Sequence, residues 1–492
     1  MELITTRLSD LRVDAPGAIL RGLAPDGGLF VPDKIPAFSR SEIESMAALP
    51  YPELASEILY RFLPGFTREE LLEYARKAYA SFDDSAVTPL HTLEDGLWTM
   101  ELFHGPTCAF KDVALQLLPY LLSAALRKCG EDRTVAILVA TSGDTGKAAL
   151  QGFADVPGTR IGVFYPRGGV SDIQRAQMVT QEGDNVLVLS VVGNFDDAQS
   201  GVKKIFSDMA LKERLEKAGV VFSSANSINW GRLVPQIVYY YAAYFQLLRS
   251  GAVKMGDPVD FSVPTGNFGD ILAGYLAKRS GLPVGRLICA SNSNNVLTEF
   301  LQTGVYNRNR PFLLTMSPSM DILLSSNLER LLYFLTGSGE QVSRWMTELG
   351  ETGCYNIGPE TLVRLKGEGF AACWSDEALT GATIRGTWEK TGYLVDPHTA
   401  VALYAARQVR KTGGSAPCVV LSTASPFKFA PAMLASLGQQ EAENGFAAQE
   451  RLAAFSGQRV PAPLDLRGKR ERFLDCVTPA GMASAVEKWL TE

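Results

Sequence analysis

The chain has 492 residues and a mass of 53.3 kDa, enough for roughly three domains at about 150 residues each. Apolar residues make up 46% and charged residues 20%, which excludes collagen-like, low-complexity and mostly disordered chains. Lys and Arg number 47 against 53 Asp and Glu, a net charge of −6, which argues against nucleic acid or an anionic membrane as main partner.

The start, MELITTRLSD, has neither a basic region nor an apolar run, so no secretory signal is expected. The first 95 or so residues read as largely helical, with a Gly/Pro-rich entry at 22–36. Thr67 and Glu70 form a capping box ahead of Leu71, Leu72, Tyr74, Ala75, Ala78 and Tyr79, one apolar helix face.

From about Trp98, short runs of Val, Ile and Leu alternate with helical stretches. Strands are expected at 97–103, 135–140, 161–165, 186–192, 220–223, 259–263, 287–290 and 418–421, with an amphipathic helix at 113–127. Such alternation makes βαβ units and mainly parallel sheets, and the remaining ~400 residues suffice for two. The expected division is 1–95 helical, 96–245 a first α/β domain and 246–492 a second, with approximate boundaries and discontinuity allowed. The apolar stretch 232–248 carries Gln236, Gln246 and four tyrosines, and reads as a buried helix rather than a membrane span. The polar stretch 439–450 reads as a surface helix or loop. The seven cysteines form no CxxC, so neither a zinc site nor a disulfide framework is expected, and a reducing, cytoplasmic compartment is.

Ligands of open α/β sheets bind at the carboxyl ends of strands, and four strand ends here carry unusual loops. In HGPTCAFKD (104–112), Lys111 stands where a helix begins, opposing the helix dipole beside Ala109 and Phe110. Both features lower an amine's proton affinity, as a lysine that bonds a carbonyl requires; the competing reading is a solvated surface lysine. ATSGDTG (140–146) offers hydroxyls and amides to an anion. It is not a phosphate-binding P-loop, because Thr141 stands where that motif needs Gly and Ala148 follows Lys147. PTGNFGD (264–270) suits a phosphate or simply a tight turn. STASP (422–426) could be only a helix cap. In SSANSINWGR (223–232), Arg232 could bind a phosphate or carboxylate, or form a surface ion pair.

Together these segments, with VDPHTAV (395–401), GLAPDGGLFVP (22–32) and VVGNFDDAQ (191–199), resemble the long-chain threonine synthase family of fold type II pyridoxal-phosphate enzymes. The resemblance covers nearly the whole chain. It implies an α/β architecture like the tryptophan synthase β-subunit, with a largely helical N-terminal domain. It also implies a soluble, cytoplasmic enzyme, monomeric or homodimeric, with no nucleic-acid or membrane partner and no metal. Lys111 would bond pyridoxal phosphate covalently and serve as the catalytic base. Gly266, Asn267, Phe268, Gly269 and Asp270 would surround the cofactor phosphate, Thr423 would meet the pyridine nitrogen, and Asp144 would lie near the 3′-oxygen. Thr141, Ser142, Gly143 and Thr145 would hold the substrate carboxylate; Asn226, Ser227 and Arg232 would hold the substrate phosphate. Many related fold type II enzymes have Asn at the place of Asp144, and many long-chain relatives have His at that of Ser425. The implied reaction turns O-phospho-L-homoserine and water into L-threonine and phosphate, by γ-elimination and β-addition of water. Three alternatives stand beside it: a pyridoxal-phosphate phospho-lyase or dehydratase releasing a 2-keto acid, a silent homologue that only binds, and a phosphate-loop kinase.

Overall fold

The computed structural model describes every residue except Ser142 and Ser415. The amino-terminal part holds the helices Ala15–Arg21, Arg40–Met46, Tyr51–Phe62 and Arg68–Tyr79. The capping box forms as its sequence predicts: Thr67 accepts from the Glu70 amide while the Glu70 carboxylate accepts from the Thr67 amide. The same helix buries Leu71, Tyr74, Ala75, Ala78 and Tyr79. A small antiparallel sheet of Leu3–Thr5, Arg12–Val13 and Phe30–Pro32 accompanies these helices. Strands this short are below what apolar periodicity can register.

Beside a two-stranded antiparallel sheet of Val305–Asn307 and Cys354–Asn356, two larger sheets carry the other strands, and every strand expected from the sequence lies in one of them. One is wholly parallel, in the order Cys476–Val477, Val186–Val191, Thr159–Pro166, Thr134–Ala140, Val220–Ser223. The other runs Phe370–Trp374, Val284–Ser291, Val259–Pro264, Cys418–Ser422, Leu97–Glu101, Leu90–Glu94. It is parallel except for the antiparallel pair at its last edge. Both sheets are discontinuous in sequence. Leu97–Glu101 pairs with Cys418–Ser422, and the late strand Cys476–Val477 joins strands from the first half of the chain.

Three local expectations change. The helix expected at 113–127 is two helices, Lys111–Leu115 and Leu118–Cys129. Pro119 has no N–H to give Leu115 and disfavours helical backbone before it. The carbonyl of Leu115 is met instead by the backbone of Gly152, where a Cβ would lie 2.1 Å from that oxygen. The stretch 232–248 likewise breaks at Pro235, into Trp230–Leu233 and the buried Pro235–Arg249. Among the described residues no helix is long and apolar enough to cross a membrane. In the polar C-terminal stretch, Gly445–Ser456 is a helix that buries Ala448, Gln449 and Leu452; Gln449 donates to the Phe427 carbonyl at 3.1 Å.

Candidate active site

The lysine loop is stitched to the end of the strand Cys418–Ser422. Leu102 donates its amide to Ser422, Phe110 to Thr423 (2.8 Å), and Ser425 in return to Cys108 (3.1 Å). Within the loop, the buried Asp112 carboxylate accepts from the Thr107 amide at 2.8 Å and hydroxyl at 2.7 Å. Gly105 lets the turn close, since a Cβ there would lie 2.5 Å from that of Asp112. Lys111 thus opens its helix from a fixed base, right after Phe110, whose amide is bonded to Thr423. Its Nζ lies 3.9 Å from Asp144 Oδ2 and 4.8 Å from the Phe110 ring centre. Burial pushes the Lys111 amine down to about 8; Asp144 opposes the shift, and Lys428 and Arg232 add to it. The surface-lysine reading therefore fails. Lys147 is also buried and also brought to about 8, but its amine faces Gln151 and Gln181 rather than these loops.

In the loop after Thr134–Ala140, Thr141 Oγ1 accepts from the amides of Gly143 and Gly146, each at 2.9 Å. Its proton remains to donate. Gly143 has φ of 136°, and a Cβ there would run into Gln174. Asp144 follows, buried: Oδ1 accepts from Lys428 Nζ at 2.7 Å and from Gln174 Nε2 at 3.1 Å. Burial alone would raise the Asp144 carboxyl, but Lys428 and Lys111 hold it well below the usual range. Thr145 is half-buried at the loop's edge; Ser142 lies outside the described residues.

The loop 264–270 ends Val259–Pro264 and starts the helix Gly269–Arg279. Phe268 caps this helix in left-handed backbone, φ 62°. The amides of Asn267, Phe268, Gly269 and Asp270 donate to no protein group among the described residues, so an anion could occupy them. The Asp270 side chain turns away and accepts from the hydroxyls of Tyr239 (2.6 Å) and Tyr240 (2.9 Å). It can serve such an anion only through its amide.

A second polar loop, 223–229, follows the strand Val220–Ser223. Asn226 is exposed and Ser227 half-buried, and neither side chain engages a protein group among the described residues. Arg232 is buried. Its Nη1 donates to the Ala225 carbonyl at 2.8 Å, its Nε has no partner, and among the described residues it forms no ion pair. That is not a surface ion pair. It is a buried cation, close enough to lower the proton affinity of Lys111.

Four residues that sequence reasoning missed organise this site. Lys428 and Gln174 hold Asp144. Asn327 donates from its backbone and side chain to the Asn267 carbonyl and from its side chain to that of Ser227. Arg330, fully buried, donates to the Ile228 and Phe30 carbonyls and to Asn327. The two anion loops and the amino-terminal sheet are thereby tied together.

The family described as "Threonine synthase N terminus" matches residues 2–79, "Pyridoxal-phosphate dependent enzyme" matches 83–424, and "Threonine synthase, C-terminal" matches 399–462. The threonine synthase of Pseudomonas aeruginosa is 42% identical over 447 residues, covering 90% of this chain and 92% of its own length. Human threonine synthase-like 1 is 41% identical over 437 residues; the match covers 86% of this chain but 58% of that longer protein. The solved structure of pyridoxal-phosphate-bound threonine synthase from Brucella melitensis superposes with a TM-score of 0.89 at 38% identity, covering 100% of this chain and 99% of that one.

Proposed function

The chain belongs to the threonine synthase family of pyridoxal-phosphate enzymes, and from that premise we propose that Lys111 carries the cofactor and Arg232 binds the phosphate that leaves O-phospho-L-homoserine. The enzyme is a pyridoxal-phosphate-dependent lyase that forms threonine. The residues fit the cofactor. Lys111 offers an amine with a lowered proton affinity. The Thr423 hydroxyl, on the segment bonded to the Phe110 amide, bonds to no protein group among the described residues, and residues 266–270 present free amides at a helix start.

When bound, the cofactor supplies an electron sink for carbanion character at Cα and Cβ of the substrate. The resemblance implies the following protein roles, which the placement of the described residues supports. The Lys111 amine moves protons among Cα, Cβ and Cγ, a task for a base whose affinity lies near the working pH. Thr423 would meet the cofactor's ring nitrogen with a neutral hydroxyl, a weak proton donor, and so would temper the sink. Thr141, Ser142, Gly143 and Thr145 receive the substrate carboxylate, through the Thr141 proton and the loop amides. Asn226, Ser227 and Arg232 receive the phosphate, whose charge grows as the Cγ–O bond breaks. Water then adds at Cβ, giving L-threonine and inorganic phosphate. The observation that carries this reading is that a buried Arg232 with no ion pair among the described residues and the free amides of 266–270 sit on two different loops, which Asn327 bridges: two groups suited to anions fit a phosphorylated substrate and a phosphorylated cofactor. The free thiols support a reducing compartment, and the cytoplasm is the proposed location. A monomer or homodimer is proposed, which light scattering would decide.

Incubation with O-phosphohomoserine should release threonine and phosphate in equal amounts. Accumulation of 2-ketobutyrate and ammonia instead would favour the dehydratase reading. Borohydride reduction of the loaded protein should place the label on Lys111; a label on Lys147 or Lys428 would refute the assignment.

A further inference from the structure

Lys428 is fully buried, on the short turn Pro426–Phe429 that follows Cys418–Ser422. A buried ammonium is tolerated only when paired and hydrogen-bonded. Two partners meet this one: Asp144 Oδ1 at 2.7 Å and the Thr107 carbonyl at 3.0 Å. The turn is itself fixed, by the Lys428 amide on the Ser425 carbonyl (3.1 Å) and by Gln449 on the Phe427 carbonyl. The second oxygen of Asp144 lies 3.9 Å from Lys111 Nζ. One carboxylate thus stands between two lysines, one buried and tightly paired, the other facing the site at a longer distance.

From this geometry we infer that Lys428 is a positioning residue of the reaction: it anchors Asp144 as an anion beside Lys111 and cancels that anion's charge, so that the pair acts on Lys111 as one neutral group. The inference rests on Lys111 being the cofactor lysine. A lone carboxylate 3.9 Å away would hold a proton on the Lys111 nitrogen and make it a poor base. With Lys428 in place, burial prevails and the nitrogen can release its proton near neutral pH. The other charged groups around this cluster are Arg232 and Lys147 on the positive side and Asp112 and Asp270 on the negative. Cys108 also adjoins it, its thiol pushed up to about 12 by burial and therefore neutral. None of these comes between Asp144 and Lys428. Lys428 also joins the two segments that frame the cofactor lysine, because its second bond falls on the lysine loop itself.

The test is a pH titration of the visible absorption band of the bound cofactor, which reports the proton on the Lys111 nitrogen. Lys428→Met leaves Asp144 uncompensated and should raise the midpoint by about 1–3 pH units. Lys428→Arg keeps the charge and should leave the midpoint near that of the unaltered protein. Asp144→Asn leaves Lys428 as a lone cation and should lower it. The double variant Asp144→Asn/Lys428→Met replaces the pair by two neutral side chains and should bring the midpoint back. A merely structural lysine would produce neither the opposite shifts of the single variants nor the return in the double. If Lys428→Met does not fold, Asp144→Asn and the double variant still decide the matter: a midpoint that moves down in the first and returns in the second supports the inference. An unmoved midpoint in Lys428→Met, or a double variant that stays where Asp144→Asn lies, overturns it. A borohydride label on another lysine in the unaltered protein would instead defeat the assignment of Lys111, a separate failure.

Discussion

Arg232 and Asp270 show how burial gives opposite meanings to charge. Arg232 keeps its charge with no carboxylate partner among the described residues, its affinity lowered by burial only to about 10. Arg232→Ala should leave the protein loaded with cofactor, raise KM for O-phosphohomoserine and lower kcat. Loss of a charge-assisted contact of about 1.5–3 kcal/mol means roughly a ten- to hundredfold fall in kcat/KM. Loss of cofactor by a folded Arg232→Ala protein would show the two anion sites to be exchanged. For Asp270, burial raises the carboxyl to about 6, against the hydrogen bonds from Tyr239 and Tyr240. The folded state therefore binds more protons than the unfolded one between about pH 4 and 6, and this carboxyl destabilises the fold increasingly up to about pH 6. Asp270→Asn does not titrate. Its stability relative to the unaltered protein should rise by about 1–3 kcal/mol from pH 4 to 7, measured as the difference in thermal midpoint; a difference independent of pH would refute this. At this scale, Lys111 and Arg232 stood out as candidates in short runs of unusual local chemistry, and Thr423 only through the family resemblance. Lys428, Gln174, Asn327 and Arg330 were not, because the groups that give them meaning lie 30 residues away or more in the chain.

At the scale of elements, prolines decide where helices break, and one break shapes the site. The helix that starts at Lys111 ends early because of Pro119, and its free Leu115 carbonyl receives Gly152 of the helix Asp144–Phe153. The close approach seats the helix of Asp144 against that of Lys111. Gly152→Ala would force the two apart. It should destabilise the loaded protein by about 1–3 kcal/mol, seen as a lower thermal midpoint, and weaken turnover as Asp144 moves. An unchanged midpoint would mean that the helices yield freely. The central parallel strands were legible, since buried parallel strands read as continuous Val/Ile/Leu runs; the sheet edges Leu90–Glu94, Phe370–Trp374 and Cys476–Val477 were not. The helix breaks were less so: Pro119 and Pro235 were visible, but the packing that makes a break rather than a kink was not.

Across the whole molecule, the amino-terminal part is fastened to the site rather than merely adjacent to it. Glu329 accepts from the Thr6 hydroxyl at 2.6 Å and from Arg7 at 3.0 and 3.1 Å. Its neighbour Arg330 reaches the Phe30 carbonyl at 2.9 Å and the loop 223–229 at Ile228. Glu329→Ala should free residues 3–32, raising their amide hydrogen-exchange rates above those of the two large sheets, and should raise KM for substrate more than it lowers cofactor retention. Uniform exchange across the molecule would mean that the fastening lies elsewhere. Two sheets of parallel strands could be counted in the sequence, but not which strand joins which sheet. Strand composition carries no address; partners are chosen by how the connecting helices cover both faces.

The pairing of Leu97–Glu101 with Cys418–Ser422 also sets a timetable. Thr107 and Lys428 are 321 residues apart, so at about 5–20 residues per second the lysine loop waits on the order of 15–60 s for its clasp to leave the ribosome. Until then Lys111 has no neighbouring strand end, no Thr423 and no Lys428, and is an ordinary amine on a growing chain. On the proposed assignment of Lys111, cofactor capture is therefore expected late in this protein's life. Ribosome-bound chains arrested before residue 418 should take no borohydride label at Lys111, whereas chains released at full length should.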